Sequence, residues 1–348
     1  MTTSAPGSQV TLRRNTGRRP RTLFAAAAAA AVLSGLLAGC HLPGTSSGAA
    51  GPTLSTITVA AQPGVADAPL YLAQRAGLFR QAGLTVNIQN YDSVGRELAA
   101  LTDGGAQFAV GDYFDFFYAQ DQPSHPGFVV VADGYDAAPS VMEVLTAPAS
   151  QITTPQQLVG KTIGTPEPGV KPFSPATPYS EETLATQSAL TNAGVQVDRV
   201  HWKPLPSSQL INALQHNQVQ AIVATEPTIY QAETEIGADA VLDSCSGQTD
   251  SLPLDGYFTL GSFAHKYRGT VLAFRSALLK AQAVAGQAKS VRAVLASSER
   301  LGVQQASLVT LGTYPTQTRA SDLQRVASLM STLNVVTNPL DVGRMIFR

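Results

Sequence analysis

The chain has 348 residues, 44% hydrophobic and 14% charged, with a formal net charge of −1; this suits a packed globular protein and excludes a disordered one. The balance is uneven. Arg13, Arg14, Arg18, Arg19 and Arg21 precede Cys40 with no acidic residue among them, and they leave 18 basic against 24 acidic residues behind. That mildly acidic remainder argues against nucleic acid as a partner, because phosphate binding needs a basic face.

The five arginines lead into an apolar run from Leu23 to Ala38, broken only by Ser34 and Gly35. A charged region, an apolar region and small residues before a cut form the layout of a secretory signal. The run is shorter than the roughly 20 apolar residues of a membrane span, and Pro20 fits a twin-arginine signal poorly. Leu37-Ala38-Gly39-Cys40 resembles the lipobox of bacterial lipoproteins, which implies acylation of Cys40 and an extracytoplasmic domain anchored to the bacterial cell membrane. His41 to Gly51 is rich in Gly, Ser, Ala and Thr, as a tether would be. Cys245 is then left without a partner, so neither a disulfide framework nor a thiolate metal cluster is expected.

Beyond the tether, strand and helix patterns alternate, which predicts an α/β architecture with mostly parallel sheets. Ser55 to Ala60 reads as a strand. Asp67 stands at an N-cap position before Pro69, and Gly77 ends that helix. Leu84 to Gln89 is a second strand, Ser93 opens a helix ending at Gly104-Gly105, and Phe108 to Val110 and Phe128 to Ala132 are short strands. Val141 to Thr146 is extended. Thr154 with Gln157 makes a capping box, and Thr162 to Gly164 is a strand. Pro166 to Pro178, with five prolines, is an irregular loop. Ser180 caps the next helix. Val200 to Lys203 and Ala221 to Ala224 are strands, separated by a helix over Gln209 to His216 with Asn217 as a left-handed cap. Thr228 to Glu235 is helical, Gly256 to Gly261 extended, and His265 to Val336 helical throughout.

The chain resembles the periplasmic-binding-protein family that includes the sulfonate, taurine, nitrate and thiamine-pyrimidine receptors. The resemblance covers roughly Thr56 to Gln282. It rests on Pro69-Leu70-Tyr71-Leu72-Ala73 with Gly77-Leu78-Phe79 and Gly83-Leu84, then Leu98-Ala99-Ala100-Leu101 before Gly104 and Phe108. Leu158-Val159-Gly160-Lys161-Thr162-Ile163-Gly164, Leu214-Gln215, Glu226-Pro227, Gly256-Tyr257 and Phe274 continue it. Asn217 and Gln220 stand where the family often has Gly and Asp. The resemblance implies a two-lobe type II periplasmic-binding-protein fold with a central ligand cleft and a hinge, closing by hinge bending. The expected layout is a signal over 1–39, a tether over 40–53, a first lobe over 54–143, a second over 144–255, and a return with C-terminal helices over 256–348. Val141 to Thr146 and Tyr257 to Gly261 are the expected crossovers. A small-molecule ligand, an ABC permease and its ATPase are the implied partners, with the receptor a monomer.

Ligands of open α/β sheets sit beyond the carboxyl ends of strands, near helix N-termini. The loops in that position nominate Asp67, Tyr71, Ser93, Gly95, Asp112, Tyr113, Thr165, Ser180 and Glu226. Tyr135, Ser140 and Tyr257 lie near the expected crossovers. Each has a structural alternative: Asp67 and Ser93 suit plain N-caps, Tyr71 suits the core, and Glu226 suits a hinge brace. Tyr113 is the candidate face for stacking a ring. Asp67, Asp112 and Glu226 together give the cleft negative character, which favours a ligand with an amine or ring N–H over a plain sulfonate.

His41, His125, His201, His216 and His265 are scattered, no hydrolase elbow or phosphate loop is present, and no cofactor or metal is expected. Two other readings remain open. One is an enzyme on the same fold, although the cysteine-rich motif of the pyrimidine synthases is absent. The other is an extracellular sensor without a transporter.

Overall fold

The computed structural model describes residues 53–167, 179–298 and 302–348. The expected signal, lipobox and nearly all of the expected tether, with Cys40, and most of the proline-rich loop lie outside them. Ten strands are described: β1 (Thr56–Ala61), β2 (Thr85–Asn90), β3 (Phe108–Asp112), β4 (Phe128–Asp136), β5 (Met142–Thr146), β6 (Thr162–Pro166), β7 (His201–Leu205), β8 (Ala221–Thr225), β9 (Asp239–Asp243) and β10 (Pro253–Leu260).

They form two five-stranded sheets, ordered β2-β1-β3-β10-β4 and β7-β6-β8-β5-β9. β1 runs parallel to β2 and β3, and β6 parallel to β7 and β8. β10 and β5 are the antiparallel members. Each sheet thus takes into its fourth position the strand that has just arrived from the other lobe. The interior strands are nearly continuous apolar runs because helices cover both faces. β3 is buried from Phe108 to Gly111 and becomes half-exposed only at Asp112, its carboxyl end.

Local signals set many boundaries. Pro69 lies in the first turn of the helix Ala68–Arg75, and Gly77 beyond its end has φ +67°. Thr154 N–H donates to Gln157 Oε1 at 3.0 Å, closing the capping box on a short 3-10 turn. Asn217 has φ +53°, as its left-handed role required. In the first lobe the core is a stack of rings: Phe274 lies 4.1 Å from Phe108 and 5.3 Å from Phe79, and Phe116 lies 3.8 Å from Phe258. Leu145, Leu214, Val219, Ile222 and Ile229 form a core of the second.

The crossings differ from expectation. Val141 to Thr146 and Tyr257 to Gly261 fall mostly within β5 and β10, each paired on both sides in a sheet, and an extended pattern alone does not separate a sheet strand from a connector. The chain crosses instead at 137–141 and 244–252. Ala137 N–H donates to Leu252 O at 2.8 Å and Ser244 N–H to Met142 O at 2.9 Å, so the two crossings hold each other. A third segment runs beside them. The helical run expected from His265 to Val336 is divided into Arg268–Ala285, Ala288–Ser298, Val303–Leu308 and Ala320–Thr332, and the stretch containing Gly312 and Pro315 runs past the hinge. There Thr313 exchanges backbone hydrogen bonds with Asp136 at 2.9 and 3.0 Å. Arg325, on the helix Ala320–Thr332, donates to the carbonyls of Gln248, Asp250 and Ser251 and so caps the return crossing.

Candidate functional site

A cavity of about 420 Å³ opens between the two sheets, within the range of small-molecule sites. From the first lobe come the loop Gln62–Asp67 after β1, Asp112 at the end of β3, Tyr135 on β4 and Asp255 on β10. Met142, Glu181, Glu182, Ser207 and the turn Thr225–Thr228 line it from the second, with Val141 of the crossing between. Strand ends and helix starts converge here, as an open α/β fold dictates.

Four expected site residues line this space: Asp67, Asp112, Tyr135 and Glu226. The others lie elsewhere. Tyr71 is half-buried and donates to Asn90 Oδ1 at 2.7 Å. Ser93 and Gly95 flank Val94, whose side of the helix Val94–Thr102 reaches the wall while theirs does not. Tyr113 is fully buried among Phe117 and Phe258, with its hydroxyl donating to Asp133 Oδ1 at 2.9 Å. The ring-stacking role expected for it is therefore corrected: it is the first residue of its helix, and the register turns it inward. Ser140 sits in the first crossing at φ +64°, its N–H donating to Asp243 Oδ2 at 3.2 Å. Thr165 is buried against the Tyr179 hydroxyl at 2.5 Å. Ser180 caps its helix, its Oγ accepting from Thr183 N–H at 3.3 Å. Tyr257 is fully buried in the first lobe's core.

Glu181, Glu182 and Asp255 escaped the sequence reading. The pair of glutamates in a first helical turn was the available signal. Asp255 had none, because its place depends on β10 pairing with β3. There Asp255 stands directly opposite Asp112 in antiparallel register, a like-charge pairing that destabilises a sheet.

Six carboxylates therefore face one cavity, and no lysine, arginine or histidine lines it among the described residues. Burial, then the charge of Glu182, pushes Asp112 up to about 7. Burial, then Asp112 and Glu182, pushes Asp255 up to about 8. Glu181 is raised well above the usual range by burial and then by Asp255 and Asp112 across the gap. Behind the wall, Glu97 is fully buried with neither oxygen hydrogen-bonded. Burial, then Asp67, Asp255 and Asp112, raises its carboxyl strongly.

Glu226 has a double position. It lines the cavity, and it joins the lobes: Oε1 accepts from Thr310 N–H at 2.9 Å and Oε2 from Tyr230 N–H at 3.3 Å. Cys245, by contrast, lies off the cavity wall and is buried, which pushes its thiol well above its ordinary value. That is an inert thiol and not an activated nucleophile.

The family profile described as NMT1/THI5 like matches residues 66–290. The chain belongs to the NMT1/THI5-like family. No curated protein sequence matches it. Among solved structures, the chain is similar to the periplasmic aliphatic sulphonate binding protein SsuA from Escherichia coli, at 17% identity over 85% of this chain and 98% of that one, with TM-score 0.68. The periplasmic nitrate-binding protein NrtA from Synechocystis PCC 6803 matches at 12% identity over 85% and 86%, TM-score 0.68. The desulfurization enzyme DSZB matches at 14% over 83% and 96%, TM-score 0.62. At such identities the likeness establishes the two-lobe type II binding-protein fold and leaves function to the site. For this NMT1/THI5-like chain the site is a gap rich in carboxylates, with the hinge segments at its back.

Proposed function

We propose that this chain is the solute-capturing component of an ABC importer, holding a small organic molecule between its lobes and closing on it by bending at the hinge. The observation that carries this reading is the cavity of about 420 Å³ with walls from both sheets and a back formed by the crossing at Val141. A guest touching both walls binds the closed form better than the open one, and that differential affinity drives closure. The permease and ATPase are the partners this cycle requires. Arg13 to Cys40 supports export and lipid attachment, with Cys40 the acylated residue and the lobes held outside the cell membrane. No described helix is long and apolar enough to cross a membrane.

DSZB shows that the fold also serves an enzyme. The cavity here takes its carboxyl groups from both lobes, an arrangement suited to holding a guest between them, and binding is the reading it supports better.

The test is small-angle scattering with thermal unfolding on the purified chain, across small organic solutes. A true solute reduces the radius of gyration and raises the melting temperature in a concentration-dependent way. Chemical conversion of a solute that produces neither change would overturn the receptor reading in favour of an enzyme.

A further inference from the structure

The helix starts around the cavity are already occupied by carboxyl groups. Helix N-termini carry a partial positive charge and free N–H groups, and in an anion site these groups hold the guest. Here Asp112 Oδ1 accepts from Asp115 N–H at 2.6 Å at the start of the helix Tyr113–Asp121. Asp67 occupies the N-cap of the helix Ala68–Arg75. Glu181 and Glu182 are the first two residues of the helix Glu181–Asn192. Glu226 accepts from Tyr230 N–H in the first turn of the helix Thr228–Ile236. An incoming sulfonate or nitrate would meet a carboxylate at every one of these starts.

A second observation is independent of these caps. Glu97 stands behind the wall with both oxygens unpartnered and no exposure. A Cβ built on Gly111, itself a wall residue, would lie 3.5 Å from its Oε2. Its carboxyl therefore stands against the back of the wall, within electrostatic reach of Asp67, Asp255 and Asp112, and ionising it there without a partner is costly. Positive charge in the cavity relieves that cost.

Resting on the receptor reading above, we infer that the cavity takes an organic polycation, a small molecule with two or more protonated amine or amidine nitrogens. One end is held by Asp67, Asp112 and Asp255 of the first lobe and the other by Glu181, Glu182 and Glu226 of the second. The carboxylates are spread over both walls, and no three described His, Cys, Asp or Glu residues converge as a metal ion requires. Spaced nitrogens fit that distribution better than a single ion does. A guest with charge at both ends also bridges the lobes, and this couples occupancy to closure. Asp112 and Asp255 titrate near 7 and 8. A cation holds them ionised, so binding near neutrality releases protons and weakens as pH falls.

The experiment is isothermal titration of the purified chain with spermidine and putrescine, against taurine, nitrate, Mg²⁺ and a neutral aminopyrimidine. Each titration is run at about pH 8.5 and about pH 6, in two buffers of different ionisation enthalpy. Saturable binding of a polyamine is expected, roughly tenfold tighter at the higher pH, with buffer-dependent heats that report proton release. Asp255→Asn and Glu181→Gln each weaken polyamine binding, while Asp255→Asn also raises the melting temperature of the unliganded chain; a residue of purely structural importance would not give opposite signs. Tighter binding of taurine, nitrate or the aminopyrimidine would overturn the polycation and leave the receptor reading standing. Equal affinity for Mg²⁺ would reduce the effect to general counter-ion attraction and overturn it likewise. Absence of binding by every probe at both pH values would overturn it too, and scattering that shows no closure with any solute would remove the receptor reading as well.

Discussion

Asp112 and Asp255 face each other across β3 and β10 in antiparallel register, at the end of the first sheet that opens on the cavity. Two carboxylates at a cross-strand pair oppose each other when ionised, at a cost of about 0.2–1 kcal/mol. Asp255→Asn is therefore expected to stabilise the unliganded chain by at least that amount at about pH 8.5, where both carboxyls ionise. Chemical denaturation with and without spermidine checks this, and a destabilised variant would contradict it.

The same cluster sets a pH dependence. The folded-state values of Asp112 and Asp255, about 7 and about 8, stand above the ordinary 3.8. Between those limits the native state binds more protons than the unfolded one, so stability is present at low pH and is lost as pH rises through the folded values. Glu97, Glu181 and Asp115 are raised in the same direction, while Asp121, lowered by hydrogen bonds from Thr337 and Asn338 despite some burial, acts the other way. The melting temperature of the unliganded chain should fall from about pH 5 to about pH 8.5. An Asp112→Asn, Asp255→Asn double variant should flatten that slope. Scanning fluorimetry across pH is the check, and a steady rise would contradict the assignment.

Much of the fold was legible because its signals are local. Pro69, Gly77, Ser180, Asn217 and the Thr154-to-Gln157 box each fix a boundary through their own backbone or side-chain chemistry. Three of the six cavity carboxylates, Asp67, Asp112 and Glu226, were also found, because each follows a strand. Asp255 was hidden by a pairing between segments far apart in sequence, and because β10 begins at Pro253, ahead of the extended run that starts at Gly256. Tyr113 shows the opposite failure. Its position after a strand put it near the gap, but side-chain direction depends on helix register, and the register points it into the core. β9 was missed altogether: an edge strand that is only partly buried carries a weak periodic signal.

Tyr113 accordingly belongs to stability. Asp133 Oδ1 accepts from its hydroxyl and from Gly134 N–H, at 2.9 and 3.1 Å. Tyr113→Phe leaves a buried carboxyl short of a donor, at a cost of about 1–3 kcal/mol. The melting temperature should drop while solute affinity stays within about twofold, since the ring does not reach the cavity. Titration of the variant decides it, and loss of binding in a stably folded variant would return Tyr113 to the site.

Glu226 ties the second lobe to the segment beside the hinge through Thr310 N–H. Glu226→Ala removes that acceptor and the one for Tyr230 N–H. Hydrogen exchange at the Thr310 amide should then accelerate by roughly tenfold, with the interior strands of both sheets unchanged. Exchange at Thr310 as slow as in the parent chain would show that the contact does not hold the lobes.

The most direct test of the account is a crystal structure of the chain grown with spermidine. It should show the polyamine in the cavity, its nitrogens hydrogen-bonded to Asp112 or Asp255 on one wall and to Glu181 or Glu182 on the other, with the lobes drawn together. A cavity that closes on an anion instead, or lobes that meet with side chains filling the gap and no guest between them, would contradict it.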